Sequence, residues 1–162
     1  ELGGSYFLQT QYGKKEGTCP SVDLAAEKSL QDFLIAQIED GKIQAAHDIS
    51  EGGLLVCIAE MLFDKEGLGV NIFLDELGES GRLDALLFGE SQARAVVAVR
   101  SEDIERITEA AGKSNLPVHS LGLINESDQL NIEVAGDSVL SAKVSVLKDA
   151  WESAIPKHMD HS

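Results

Sequence analysis

Ala46-His47-Asp48-Ile49-Ser50-Glu51-Gly52-Gly53-Leu54 runs directly into Leu55-Val56-Cys57-Ile58-Ala59-Glu60-Met61-Leu62-Phe63. From Leu54 to Phe63 only Glu60 is polar, which predicts a helix buried on most sides and stopped by the loop of Gly67 and Gly69. The polar residues ahead of it are therefore held against the core. A short run, Ile43 to Ala46, leads into them.

Upstream, Ala26, Leu30, Phe33, Leu34 and Ile38 recur at helical spacing between Asp23 and Asp40, with Ser21 or Asp23 as N-cap and Gly41 as terminator. A shorter helix is expected before Tyr12, after the Gly3-Gly4 pair. Downstream, Val70, Ile72 and Leu74 alternate as a strand does, and an acidic loop from Asp75 to Gly81 follows. Leu83 to Phe88 is apolar but of undecided type, and Ala95 to Val99 reads as a buried strand. Ser101 caps a helix to about Lys113, with Ile104, Ile107 and Ala111 facing inward. Val118–Ile124 and Gln129–Val134 read as a hairpin joined by Asn125 to Asp128. Val144, Leu147, Trp151 and Ile155 mark a last helix closed by Pro156, with Trp151 in the core and residues 157–162 as a frayed tail. Helices and strands alternate without strict βαβ units. The expected class is α/β (α+β), a sandwich in which helices pack on a mixed β-sheet, in a single domain over residues 1–162.

The chain has 162 residues, 28 acidic against 13 basic, and a formal net charge of -15. With 43% hydrophobic and 25% charged residues, its composition is that of an ordinary globular domain with a real core. Binding of a polyanion by counterion release needs clustered Lys and Arg, and here they are scattered among carboxylates. Nucleic acid and anionic membrane are therefore excluded as expected partners. An anionic ligand must be met by backbone N–H groups, a helix N-terminus or a bridging divalent metal. No apolar run approaches the roughly 20 residues that span a bilayer. Glu1 in place of Met suggests part of a longer polypeptide, and two thiols without short spacing, Cys19 and Cys57, point to a reducing cytoplasm.

Two readings of His47 to Gly53 stay open. In one, Ser50, Gly52 and Gly53 cradle a phosphate at a helix N-terminus, and Asp48 holds a divalent cation whose other ligands are phosphate oxygens. In the other, Ser50 is an N-cap, Asp48 and Glu51 favour the helix dipole, and His47 ends a strand. Caps are far commoner, so the pattern alone leans to the second. Glu90-Ser91-Gln92 supplies donors and acceptors that suit hydroxyls or amides, and turn chemistry before a strand explains it about as well. Elsewhere the plain readings lead. Cys57 is a packed core thiol, His119 a half-buried structural histidine facing with Leu121 and Leu123, and Asp75, Glu76 and Glu79 a solvated loop. His158 and His161, flanking Asp160, belong to a solvated terminus.

Taken together, Glu1-Leu2-Gly3-Gly4-Ser5, Ala46 to Leu54 with Ala59-Glu60-Met61, and Leu87-Phe88-Gly89-Glu90-Ser91-Gln92-Ala93-Arg94 resemble the phosphoribosylformylglycinamidine synthase family, in particular the last domain of its synthetase subunit. The resemblance implies a C-terminal domain of the aminoimidazole ribonucleotide synthetase superfamily. It implies an ATP-dependent ligase of purine biosynthesis. In that ligase ATP phosphorylates the amide oxygen of formylglycinamide ribonucleotide, and ammonia from a glutaminase displaces phosphate to form the amidine. Expected cofactors are ATP and Mg2+. Expected partners are the preceding domains of the same chain and either a glutaminase subunit with a small accessory subunit or a fused glutaminase domain.

In the family's first copy of this domain an aspartate holds magnesium and a Glu-Ser-Gln motif contacts the ribonucleotide; on the matching positions, Asp48 is the implied metal ligand, while Glu90, Ser91 and Gln92 are the implied ribonucleotide contacts. Ser50, Gly52 and Gly53 complete the implied ligand cradle, with His47 and Arg94 as neighbouring contacts. No catalytic residue falls in this chain, so the domain alone is expected to be inactive. His47 to Gly53 resembles the second of the family's two copies of this domain, which faces a pseudo-symmetric site where nucleotide is bound for structure. The alternatives are the same-fold domain of selenophosphate synthetase, thiamine monophosphate kinase or the hydrogenase maturation protein, or a non-catalytic ligand-sensing or assembly module.

Overall fold

The computed structural model describes residues 1–74 and 82–159, so the acidic loop from Asp75 to Gly81 and the end of the tail lie outside the described residues. The chain divides into two compact units, one of residues 1–57 and 84–120, the other of residues 58–83 and 121–162.

The first unit opens with α1 (Tyr6–Tyr12) and α2 (Leu24–Glu39). Asp23 caps α2, its carboxylate accepting from the amides of Ala25 at 2.9 Å and Ala26 at 3.1 Å. At the other end Gly41 is left-handed, and the Lys42 amide reaches Gln37 O at 2.9 Å, the Schellman closure that glycine favours. Strand β1 (Ile43–Asp48) pairs antiparallel with β3 (Ala95–Val99), from Ile43 opposite Val99 to Asp48 opposite Ala95. Helix α4 (Leu83–Phe88) precedes β3, which settles the type of that apolar segment. A single 3-10 turn, Ser101–Asp103, introduces α5 (Ile104–Lys113). Phe33, Ile43, Ile107 and Ala111 form the core here, with Leu34, Val97, Val99, Ala110 and Leu116 packed around them. Ile104, expected to face inward, is exposed, because the 3-10 turn places it at the outer start of α5. Residues of β3 are half-buried throughout, with β1 as the strand's partner.

In the second unit β2 (Gly69–Phe73), β4 (Gly122–Asn125), β5 (Gln129–Val134) and β6 (Asp137–Lys143) form a four-stranded sheet in the order β4-β2-β5-β6. The expected α+β class therefore holds, with its strands shared between two sheets. Val70, Ile72, Leu130 and Ile132 are buried on one face of the larger sheet. The expected hairpin between β4 and β5 does not form. Strand β2 lies between them, antiparallel to β4 and parallel to β5. The linker between them is turned by its own side chains: the Ser127 amide donates to Asn125 Oδ1 at 3.1 Å, and the Gln129 amide to Ser127 Oγ at 3.2 Å. The hairpin that does form joins β5 to β6 through Ala135 and Gly136, both at positive φ, as a two-residue type I′ connection requires.

Helix α3 (Gly53–Phe63) passes from the first unit to the second, and Leu54, Cys57, Ile58 and Leu62 are buried along it. The last helix, α6 (Val144–Met159), has its first turn held by Asp128, whose carboxylate accepts from the Ser145 amide at 3.0 Å. It continues through Pro156, since proline forfeits its own N–H bond while keeping a helical φ. Trp151 is not a core residue: it is 59% exposed. Its ring edge leans on Phe63 and its Nε1 donates to Glu60 Oε1 at 3.2 Å, a polar anchor that keeps the indole at the surface. His119 also lies outside β4 and is exposed, because the strand begins only at Gly122.

Candidate functional site

The antiparallel ladder of β1 and β3 decides what meets what. Pairing Asp48 with Ala95 sets the end of β1 beside the start of β3, so the segments that follow one and precede the other become neighbours. The ladder is extended by Ile49, whose amide donates to Arg94 O at 3.0 Å. One step further, the Gly52 amide donates to Glu90 Oε1 at 2.9 Å. The same oxygen accepts from the Tyr6 amide, the first residue of α1, at 3.0 Å. A single carboxylate thus receives N–H groups from the entrances of α1 and α3, where backbone donors lack helical partners.

The amino-terminal segment closes the same cluster. The Glu90 amide donates to Glu1 O at 3.0 Å, and the Glu1 nitrogen donates to Ser91 Oγ at 2.8 Å. The ring of Phe7 stacks on Phe88 with centroids 4.7 Å apart. Gly53, at φ +73°, is buried against the end of α4, where an added Cβ would sit 2.6 Å from Phe88 C and 2.8 Å from Leu87 O. Gly53 is therefore needed for close backbone approach, while Gly52, at φ +82°, would bring a Cβ within 2.6 Å of the Val56 side chain. The Ser50 carbonyl closes the turn before α3 by accepting from the Gly53 amide at 3.1 Å, and its side chain stands at the exposed rim.

Arg94 folds back under this loop. Its Nε donates to Ser91 O at 3.1 Å and its Nη2 to Gly89 O at 2.6 Å. Burial pushes the guanidinium below its ordinary pKa, with the neighbouring Cys57 acting the other way. Arg94 is thus a scaffold for the loop. Cys57 itself is buried, its Sγ donating to His47 O at 3.8 Å. Asp48 is exposed, with Oδ1 3.6 Å from His47 Nδ1. Gln92 is exposed, and its Nε2 donates to Glu90 O at 3.3 Å. No motif marked Glu27, yet its carboxylate accepts from the Ala93 amide at 2.7 Å.

The three motifs that are far apart in sequence meet around Glu90. That arrangement leaves Asp48, Ser50 and Gln92 at the surface, able to offer one carboxylate, a hydroxyl and an amide to a ligand. Among the described residues no three His, Cys, Asp or Glu side chains cluster as a metal site, so a cation here would rely on Asp48 together with ligand oxygens.

Residues 1–135 match the family described as AIR synthase related protein, C-terminal domain. The chain belongs to that family. The match covers both motif-bearing segments and ends at the β5–β6 turn, so the family's region includes the whole cluster around Glu90. Among family relatives, the phosphoribosylformylglycinamidine synthase subunit PurL of Alkaliphilus metalliredigens is 34% identical over 155 residues, covering 96% of this chain and 20% of its own. The structure described as T. maritima PurL complexed with FGAR superposes with a TM-score of 0.75 at 26% identity, covering 86% of this chain and 23% of that one. T. maritima PurL complexed with ATP gives a TM-score of 0.71 at 28% identity, over 82% and 23%. The chain spans about a fifth of the length of the curated relatives it matches. No helix among its described residues is long and apolar enough to cross a membrane.

Proposed function

We propose that this chain is the C-terminal domain of a cytoplasmic phosphoribosylformylglycinamidine synthase, an ATP-dependent ligase of purine biosynthesis. The observation that carries the reading is the Gly52 amide on Glu90 Oε1 at 2.9 Å, which unites the His47–Gly53 and Glu90–Arg94 motifs in one place. Membership of the family over residues 1–135, and relatives that bear this enzyme's name over nearly the whole chain, support it. In the complete ligase, ATP activates the amide oxygen of formylglycinamide ribonucleotide as a phosphate ester, and ammonia from a glutaminase partner displaces phosphate to leave the amidine.

The chain's part is to bind and orient. We assign this cluster the role of the family's first copy, not the structural role of the second copy that the wording of His47 to Gly53 resembles: Ser91 and Gln92 present hydroxyl and amide groups to the ribonucleotide, on a loop fastened by Glu90 and Arg94. Ser50, Gly52 and Gly53 shape the α3 entrance beside them, and His47 flanks it. Asp48 fits Mg2+, since one exposed carboxylate with phosphate oxygens and water completes the coordination that magnesium prefers. Bound there, the ion would neutralise phosphate charge that a chain of net charge -15 cannot meet with lysines. No nucleophile or base need come from this domain, so the reacting groups belong to the rest of the polypeptide.

The test is direct assay of amidine formation from formylglycinamide ribonucleotide, ATP, Mg2+ and ammonium by the complete polypeptide and by residues 1–162 alone. The complete polypeptide should turn over, and the domain should not. Absence of amidine from the complete polypeptide, or turnover by the isolated domain, overturns the reading.

A further inference from the structure

We propose that Glu27 is a positioning residue for the Glu90-Ser91-Gln92 segment, acting through the Ala93 amide; this rests on the ligand-binding role proposed above. Ala93 has φ +55°, a left-handed conformation that a side-chain-bearing residue adopts at a cost of about 1 kcal/mol. It persists only where neighbouring groups hold it. The holding group is Glu27 Oε1, 2.7 Å from the Ala93 amide, a short bond to a carboxylate of the kind stronger than neutral pairs. Glu27 lies in the first turn of α2, a 16-residue helix anchored in the core by Phe33.

Arg94 holds the residues on either side of Ala93. Its side chain returns to the carbonyls of Gly89 and Ser91, and its own carbonyl accepts from Ile49. The loop is therefore pinned from Glu90, from Arg94, from Glu1 and from Glu27. Among these, Glu27 alone lies outside the three motifs. Without Glu27 the Ala93 amide loses its acceptor and the left-handed turn loses its reason. Gln92, exposed and held by a single 3.3 Å bond to Glu90 O, then no longer has a fixed direction. Glu27 thus sets ligand affinity without touching ligand.

Glu27→Ala and Glu27→Gln test this, because glutamine keeps an acceptor oxygen where alanine has none. Amide hydrogen exchange is followed on the 162-residue chain, and steady-state kinetics on the complete polypeptide. Glu27→Ala should accelerate exchange at Ala93 about tenfold, as expected for loss of one charge-assisted bond. It should also raise KM for formylglycinamide ribonucleotide about fivefold, leaving kcat within roughly twofold, and Glu27→Gln, with a neutral acceptor, should restore most of both. Unchanged exchange at Ala93 overturns the inference. So do acceleration spread over β1 and β3, which would mean general loosening, an unchanged KM, and a Glu27→Gln variant as impaired as Glu27→Ala. If the wild-type complete polypeptide forms no amidine, the functional reading falls, while exchange at Gln92 and Ala93 still decides whether Glu27 holds the loop.

Discussion

The Gly52 amide and Glu90 Oε1 are 2.9 Å apart across 38 residues of sequence, and the oxygen is shared with the Tyr6 amide. Glu90 is in this respect an internal anion at two helix entrances. Replacing it with alanine orphans both amides, each worth about 1 to 1.5 kcal/mol when its acceptor is removed. Glu90→Ala should therefore lower unfolding free energy by about 2 to 3 kcal/mol. Glu90→Gln keeps an oxygen in place and should lose less than half as much. Urea unfolding of the three chains is the measurement, and equal losses in the two variants would show that the charge, not the acceptor, matters.

Gly53 and Gly41 offer a controlled comparison, since both are left-handed at φ +73° and +68°. A Cβ on Gly53 would meet Phe88 backbone atoms at 2.6 and 2.7 Å, whereas nothing lies within 4 Å of one on Gly41. Gly41→Ala should lose about 1 kcal/mol, the conformational penalty alone. Gly53→Ala adds a backbone clash and should lose about 3 kcal/mol, Gly53→Val more. Melting temperatures of the variants decide it, and indistinguishable values would mean that α4 moves aside freely.

Local chemistry was legible in the sequence wherever one element carried its own signal. Asp23 and Gly41 bracketed α2, the alternation of Val70, Ile72 and Leu74 revealed β2, and the apolar run before Phe63 marked α3. The candidate site was legible as residue types in three short motifs, but not as a geometry. That Glu90 serves Tyr6 and Gly52 depends on the β1–β3 register, which sequence spacing does not encode. Strand β6 was missed for a related reason. Its residues Asp137 to Lys143 are largely exposed, and a register shift at Ile132 and Glu133 breaks the alternation that would have announced it. The neighbouring strand was misassigned because pairing of consecutive strands is only a tendency, and here β2 lies between β4 and β5.

Glu109 and Lys113 give a small, signed pH effect. The Lys113 ammonium, 2.7 Å from Glu109 on α5, holds the carboxyl below its ordinary pKa, first by hydrogen bonding and then by charge. A group depressed in the folded state adds stability above its unfolded pKa, and loses it as pH falls through the folded value. Glu109→Gln should thus be slightly less stable than wild type at neutral pH, with the difference starting to shrink as pH falls below about 4, the ordinary carboxylate value, and disappearing only below the depressed folded value. Urea midpoints across this range would show it, and a difference that grows on acidification would contradict the assignment. Because the pair is at the surface, added salt should shrink the effect.

Lys42 and Asp103 form a different kind of pair. Nζ lies 3.0 Å from Oδ1, with the Asp103 side chain 5% exposed and that of Lys42 29%. The bond ties the end of α2 to the 3-10 turn ahead of α5, two elements that share the core of Phe33, Ile43, Ile107 and Ala111. Lys42→Met leaves a carboxylate out of water without a counter-charge, and should lose about 3 kcal/mol. Asp103→Leu leaves a lysine that can swing to solvent on its flexible stem, and should lose less. The double variant should recover part of the Lys42→Met loss, since no charge is then stranded. A double-mutant cycle in urea measures the coupling directly. Additive losses would show that the pair is held by its surroundings and not by its own attraction.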